Sequence, residues 1–311
     1  MPNHRLQMPT WIKSVLGTLA ISVSVAANGT AFAQSDGERD DRSSDLRGEV
    51  SASAIIASDR GDEEDNDRSG ARLRAELDYQ QDVGPGEIRL GYDSSVYFYE
   101  DGDRPDQWTN RLSLAYAVDV AQDLELSAQV SYASNLSTLE FRSADQVETM
   151  GTVEYSPGRH RLRLFGGWRW RDYDDEAQSE GSGAIYGVGY RYRLARSRFL
   201  SAGIRFEDID SGNPRRGYER TTLEAYYQQP LASRSRLRLG AVARFWDFDG
   251  RLTPDGDRRR DSSVTPEIDL LHGFASGFLL QGRLQYGLRS SNDPAFRADD
   301  QRAILTAGYK F

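Results

Sequence analysis

Counted back from Phe311, every second residue of the last eleven is apolar: Phe311, Tyr309, Ala307, Leu305 and Ala303. The positions between them, Lys310, Gly308, Thr306, Ile304 and Arg302, are mostly polar or small. Side chains of a strand point to opposite faces in turn, so this stretch reads as a β-strand with one wet and one greasy face. The same period recurs throughout the chain. It predicts about fourteen strands (twelve to sixteen as bounds), at roughly 46–57, 69–80, 86–98, 108–120, 123–134, 146–155, 160–171, 183–194, 198–208, 218–229, 235–247, 262–273, 277–289 and 301–311.

The connections have a rhythm of their own. Short ones, at Gln81–Pro85, Ala121–Gln122, Ser156–Arg159, Ala195–Arg196, Pro230–Arg234 and Phe274–Ser276, alternate with long acidic ones such as Asp59–Asp67, Glu100–Asp106, Asp172–Gly181 and Asp247–Arg260. The faces separate cleanly within segments. Phe278, Leu280, Leu284, Tyr286 and Leu288 oppose Gln281, Arg283, Gln285 and Arg289; Leu162, Leu164, Trp168 and Trp170 oppose Arg161, Arg163, Arg169 and Arg171. Aromatics fall into two tiers. Tyr79, Tyr155, Tyr192, Tyr227, Phe278 and Tyr309 lie near the short turns, and Phe98, Trp108, Tyr132, Trp168, Phe206, Phe245 and Tyr286 near the long loops. Two such tiers suit the two interfaces of a bilayer. A soluble sandwich also alternates, but it rarely sets so many arginines on one face.

The mean hydropathy of −0.66 does not argue against a membrane protein, because lipid-facing and lumen-facing residues cancel in any running average. An apolar run from about Val15 to Ala27 follows Arg5 and Lys13, and Ala31-Phe32-Ala33 follows that run. This is the pattern of a secretory signal peptide over residues 1–33, too short to cross a bilayer as a helix. Residues 34–45 are then a short periplasmic segment and 46–311 the barrel. The chain has no cysteine, so no disulfide contributes to stability and no lipid-modified cysteine anchors it.

A strand ending on an aromatic residue resembles the assembly signal of Gram-negative outer-membrane β-barrels, carried here by Leu305, Ala307, Tyr309 and Phe311. With strand count, length and turn rhythm, the nearest resemblance is to fourteen-stranded monomeric porins. It implies an all-β fold, a transmembrane antiparallel up-and-down barrel in the bacterial outer membrane. Backbone groups have no partner in lipid, so the first strand must close on the last. An even strand number puts both ends of the barrel in the periplasm. The barrel of surface lipoprotein assembly modifiers follows a helical-repeat domain, for which Gln34 to Asp45 is too short. Fatty-acid transporters of this strand count carry an N-terminal plug, for which no segment is left.

All basic residues but Lys13 and Lys310 are arginine. On the alternation, Arg72, Arg74, Arg89, Arg111, Arg163, Arg169, Arg191, Arg193, Arg205, Arg236, Arg238, Arg244, Arg283 and Arg302 face inward. Glu49, Glu76, Asp93, Asp119, Glu125, Glu148, Glu154, Glu207, Glu224, Glu267 and Asp269 share that face. They either pair across strands as a wet lining or, in excess, draw anions into a pore. The acidic loops oppose the second reading. Among these loops, Asp62-Glu63-Glu64-Asp65 and Asp172 to Glu176 are candidates for divalent cations at the cell surface, but Asp59 to Asp67 lacks the glycine-centred spacing of an EF-hand and solvated charge is the preferred reading.

Enzymatic function is not expected. Barrel lipases, deacylases and omptin-like proteases work near the outer leaflet with a histidine, whereas His160 and His272 both adjoin short turns at the periplasmic end. No Cys or His cluster has metal-ligand spacing, and no glycine-rich loop joins a strand to a helix, so no cofactor is expected. The expected function is passive diffusion of small hydrophilic, and on the sharper reading anionic, solutes. The alternative is a non-conducting barrel for surface-protein export, assembly or display. Expected partners are the bilayer with its lipopolysaccharide, the barrel assembly machinery and the solutes, with no nucleic acid.

Overall fold

In a computed structural model, which describes residues 44–58, 69–100, 106–137, 143–174 and 179–311, the chain forms a closed barrel of fourteen antiparallel strands. They are β1 (Ser44–Ala57), β2 (Gly70–Val83), β3 (Gly86–Tyr99), β4 (Gln107–Ala121), β5 (Leu124–Ser137), β6 (Ser143–Tyr155) and β7 (His160–Tyr173). Then follow β8 (Glu180–Ala195), β9 (Arg198–Ser211), β10 (Tyr218–Ala232), β11 (Ser235–Leu252), β12 (Arg258–Gly273), β13 (Phe278–Ser291) and β14 (Ala298–Lys310). The 1–33 segment, residues 34–43 and the acidic stretch Asp62 to Asp65 lie outside the described residues.

Each strand pairs with its sequence neighbours, and β1 closes on β14 from Glu49↔Lys310 to Ala57↔Arg302. Phe311 carries the pairing one residue further, donating to and accepting from the backbone of Gly48 at 3.0 and 2.8 Å. No sheet edge is left facing lipid, where each orphaned backbone group would cost several kcal/mol. Followed around the barrel, the registers return to β1 displaced by about 18 residues; with strands ~4.8 Å apart this gives a tilt of roughly 40–45° and a backbone radius of about 14 Å. Wall side chains fill an eight-stranded barrel; fourteen strands stand nearer the aqueous channels.

The outer face is a belt of Leu, Val, Tyr and Trp on which none of the described residues packs. Leu284 is 59% exposed there, Leu305 57% and Trp108 58%. Phe278 and Tyr309 meet edge to face near the short turns, and Tyr186 stacks on Phe206 nearer the long loops. Above the outer tier the rim is acidic: Asp145 lies across from Asp172 and Asp172 from Glu180, while Glu219 lies between Asp208 and Asp247.

From β5 onward every strand except β10 runs two to five residues further at its loop end than the alternation predicts, whereas β1–β4 and β10 end within one residue of it. The connection expected at Asp247–Arg260 is mostly strand, with β11 reaching Leu252 and β12 starting at Arg258 around the turn at Gly256 (φ +88°). At the opposite, short-turn end β1 begins at Ser44, inside the segment expected to precede the barrel. Above the bilayer, backbone pairing continues where lipid no longer enforces an apolar face.

Candidate functional site: the inner wall

The ladder registers fix the faces. Glu49 pairs with Glu76, Glu76 with Asp93 and Asp93 with Arg111; Glu207 pairs with Ile185 and Arg220. All sixteen residues expected to line a pore share this inward face of their strands. Their environments differ. Arg89, Arg111, Arg163, Arg191, Arg236 and Glu224 are exposed to the lumen; Arg72, Arg74, Arg205, Arg238, Arg244, Arg283, Glu76 and Glu125 are half-buried.

Arg169 and Glu207 depart from the expectation. Their side chains are only 3% and 1% exposed, so they belong to the wall's packed interior and do not touch lumen water. Glu207 Oε2 accepts from Arg220 Nη2 at 2.8 Å and from Arg169 Nη1 at 3.3 Å, and Oε1 lies 2.8 Å from Arg205 Nε. Arg169 also donates to the Tyr218 hydroxyl at 2.7 Å. Ile209, Tyr218, Trp246 and Phe248 pack as a buried apolar cluster around this network. A carboxylate taken from water is stable only when its lone pairs are met by positive donors, and Glu207 has three arginines.

A second such node lies beneath the β13–β14 connection. Asp261 accepts from Arg259 (3.1 Å at Oδ1, 2.7 Å at Oδ2), from Arg289 at 2.6 Å and from Ser291 at 2.7 Å. The Arg259 guanidinium is covered by Phe296 of the short 3₁₀ turn Pro294–Phe296, which Asp293 caps by accepting from Ala295 N at 3.0 Å. Arg216, between β9 and β10, stacks on Tyr173, and Arg251 on Phe248. Loops therefore fold inward over the β7–β14 side of the outer mouth. Sequence reasoning missed Arg220, Arg259 and Asp261. Arg220 shares the parity of Glu224, which would have found it; Arg259 and Asp261 lay in or beside the stretch read as loop.

Lower on the wall, arginines reach one or two carboxylates each. Arg283 donates to Asp269 at 2.9 and 3.0 Å, and Arg238 to Glu267 at 2.9 Å while stacking on Tyr226. Arg74 bridges Asp93 and Glu76. His160 and His272 sit outside the lumen, near the short turns. His160 Nδ1 lies 2.7 Å from the Tyr190 hydroxyl, and His272 Nδ1 2.7 Å from Ser235 Oγ with its ring edge-on to Phe274.

No protein-family model matches the chain, and no curated protein matches it in sequence. Solved structures match in fold. They include outer-membrane expressed OmpT of Vibrio cholerae (TM-score 0.54, 10% identity, 86% of this chain and 97% of that one). The outer membrane channel DcaP of Acinetobacter baumannii matches with TM-score 0.52 and 17% identity over 86% and 97% of the two chains. A Pseudomonas aeruginosa FadL homologue matches with TM-score 0.50 and 10% identity over 85% and 89%. Identities this low carry the fold alone. The chain is a fourteen-stranded β-barrel of the bacterial outer-membrane type. With its apolar belt and two aromatic tiers, it is a protein of the outer membrane.

Proposed function

We propose that the barrel is a channel for passive diffusion of small hydrophilic solutes across the outer membrane. The observation that carries this reading is the solvent exposure of Arg89, Arg111, Arg163, Arg191, Arg236 and Glu224 on the inward face of a wall about 14 Å in radius. The DcaP barrel, similar in fold, is a channel by its description, which adds support. Single-channel recording of the refolded protein in a planar bilayer tests it: discrete conductance steps are expected, and a silent bilayer would reject it.

The inward-folded loops favour a second reading, a closed barrel for export, assembly or display of surface proteins, and the same recording decides between them. Catalysis is not part of either proposal. His160 and His272 face outward by the short turns and contact Tyr190, Ser235 and aromatic rings, with no carboxylate among these partners. In the proposed setting, lipopolysaccharide and phospholipid surround the belt, and the assembly machinery reads β14.

A further inference from the structure

The arginines of the inner wall are not distributed evenly with respect to their counter-charges. Around Glu207, Asp261 and Asp269 each guanidinium meets a carboxylate inside the wall. At the short-turn ends of β7 and β8 the ratio is different. Arg161 and Arg191 occupy directly paired inward positions, Arg163 is one inward step above Arg161, and Arg193 one step below Arg191. Glu154, across from Arg163 on β6, is the carboxylate on the adjoining strand, and it is engaged by Arg161 at 2.5 Å; Glu125 and Glu224 lie further off at the same height, on β5 and β10. Like charges at directly opposed strand positions repel. All four arginines are nevertheless exposed to the lumen. Space is left above them as well, since Gly189 faces Arg163 and a Cβ there would meet nothing nearer than Arg163 Cβ at 4.0 Å.

We propose that Arg161, Arg163, Arg191 and Arg193 form a binding station for small, multiply charged oxyanions such as phosphate esters or dicarboxylates, at the periplasmic end of the lumen. Guanidinium forks match the paired oxygens of carboxylate and phosphate, and two or more forks on one anion favour double charge over single. Arg191 is held over the Phe199 ring at 4.7 Å, which limits its freedom before a ligand arrives. The station deepens the channel reading and rests on it for the solute's route to the site; binding itself does not need conduction.

The test therefore has two arms. In the first, inorganic pyrophosphate is titrated at low salt into the refolded full-length barrel in a zwitterionic detergent. R161Q combined with R191Q should weaken binding at least about tenfold. Arg47→Gln, an inward arginine on the far wall bonded to Asp45, should leave it unchanged. Equal affinity in all three proteins overturns the station. If the double variant does not fold, Arg163→Gln and Arg193→Gln are read singly, and undiminished binding in both overturns it. In the second arm, pyrophosphate is added to either side of a bilayer containing barrels of one orientation. Stronger reduction of current from the short-turn side is expected. Conduction without any dependence on side overturns the station, whereas a non-conducting wild type overturns the channel reading and leaves the station to the first arm.

Discussion

The Arg259 guanidinium lies 3.4 Å from the centroid of the Phe296 ring and 5.1 Å from that of Phe248. One wall arginine thus holds the β13–β14 connection against the inside of the barrel. The same side chain is fixed from below by Asp261, so loop and wall share a single charged node.

Replacing Phe296 with Ala should loosen that connection. The contact removed is worth about 0.5–2 kcal/mol, while the Asp293 cap and the bond from Arg297 to Ser291 O at 2.7 Å remain. Trypsin should cleave after Arg297 faster than in the wild type, and open-channel current noise should rise. Unchanged cleavage would mean that the cap and the Arg297 bond hold the loop without the ring.

Glu207→Gln should be among the most destabilising single changes in the wall. It leaves Arg169, Arg205 and Arg220 around a neutral amide that is itself buried, with Arg169 as deeply buried as the amide and Arg205 and Arg220 reaching toward the lumen. Breaking one side of a buried ion network typically costs about 3–5 kcal/mol. Urea unfolding in lipid vesicles should show it, with Arg163→Gln, whose side chain is exposed, as the nearly neutral comparison.

Much of this was legible from alternation. β13 separates Phe278, Leu280, Leu284 and Tyr286 from Gln281, Arg283 and Gln285 because lipid bathes one face and water the other. Parity gives the face of a residue but not its neighbours at the same height. Arg163 and Arg169 therefore look alike in sequence, although Arg169 is buried by Tyr218, contributed from three strands away. Above the outer tier the two solvents become one. Phe248 and Arg251 of β11 turn inward under loops, and the apolar and polar sets no longer mark lipid and lumen. The signal fades there while the strand continues.

A charge on the outer face should be felt where the same charge on the inner face is not. Leu284 lies at mid-strand on the lipid side, so Leu284→Arg should cost roughly 2–4 kcal/mol. Gln285 donates to Glu267 at 3.1 Å, and Gln285→Arg keeps a donor on that carboxylate. Equal losses in vesicle refolding would place β13 in the wrong register.

The terminal aromatic should matter for assembly through a specific fit. The Phe311 ring lies over Gly48, where any Cβ would strike it, and its backbone completes the β1–β14 seam. Phe311→Asp should lower outer-membrane levels strongly by removing the ring from the interface. Gly48→Val should do so more mildly by displacing it. Normal levels of both variants in membrane fractions would detach the seam from assembly.

Ion selectivity should follow the exposed arginines and not the paired ones. Arg163 is exposed to the lumen and held only by its neighbouring Phe165 ring and the row of charges below, so its loss should change the field that a passing ion meets. That field extends about 10 Å at 0.1 M salt, comparable with the lumen radius left by the wall. Reversal potential in a KCl gradient should therefore move toward cations in Arg163→Gln, and the shift should shrink as salt rises. Arg238 offers the contrast. It is bonded to Glu267 at 2.9 Å, and its removal strips a buried carboxylate of a charged donor. Arg238→Gln should lower stability more than it alters selectivity. If instead both variants shifted the reversal potential equally without loss of stability, the division of the wall into paired and open arginines would not govern conduction.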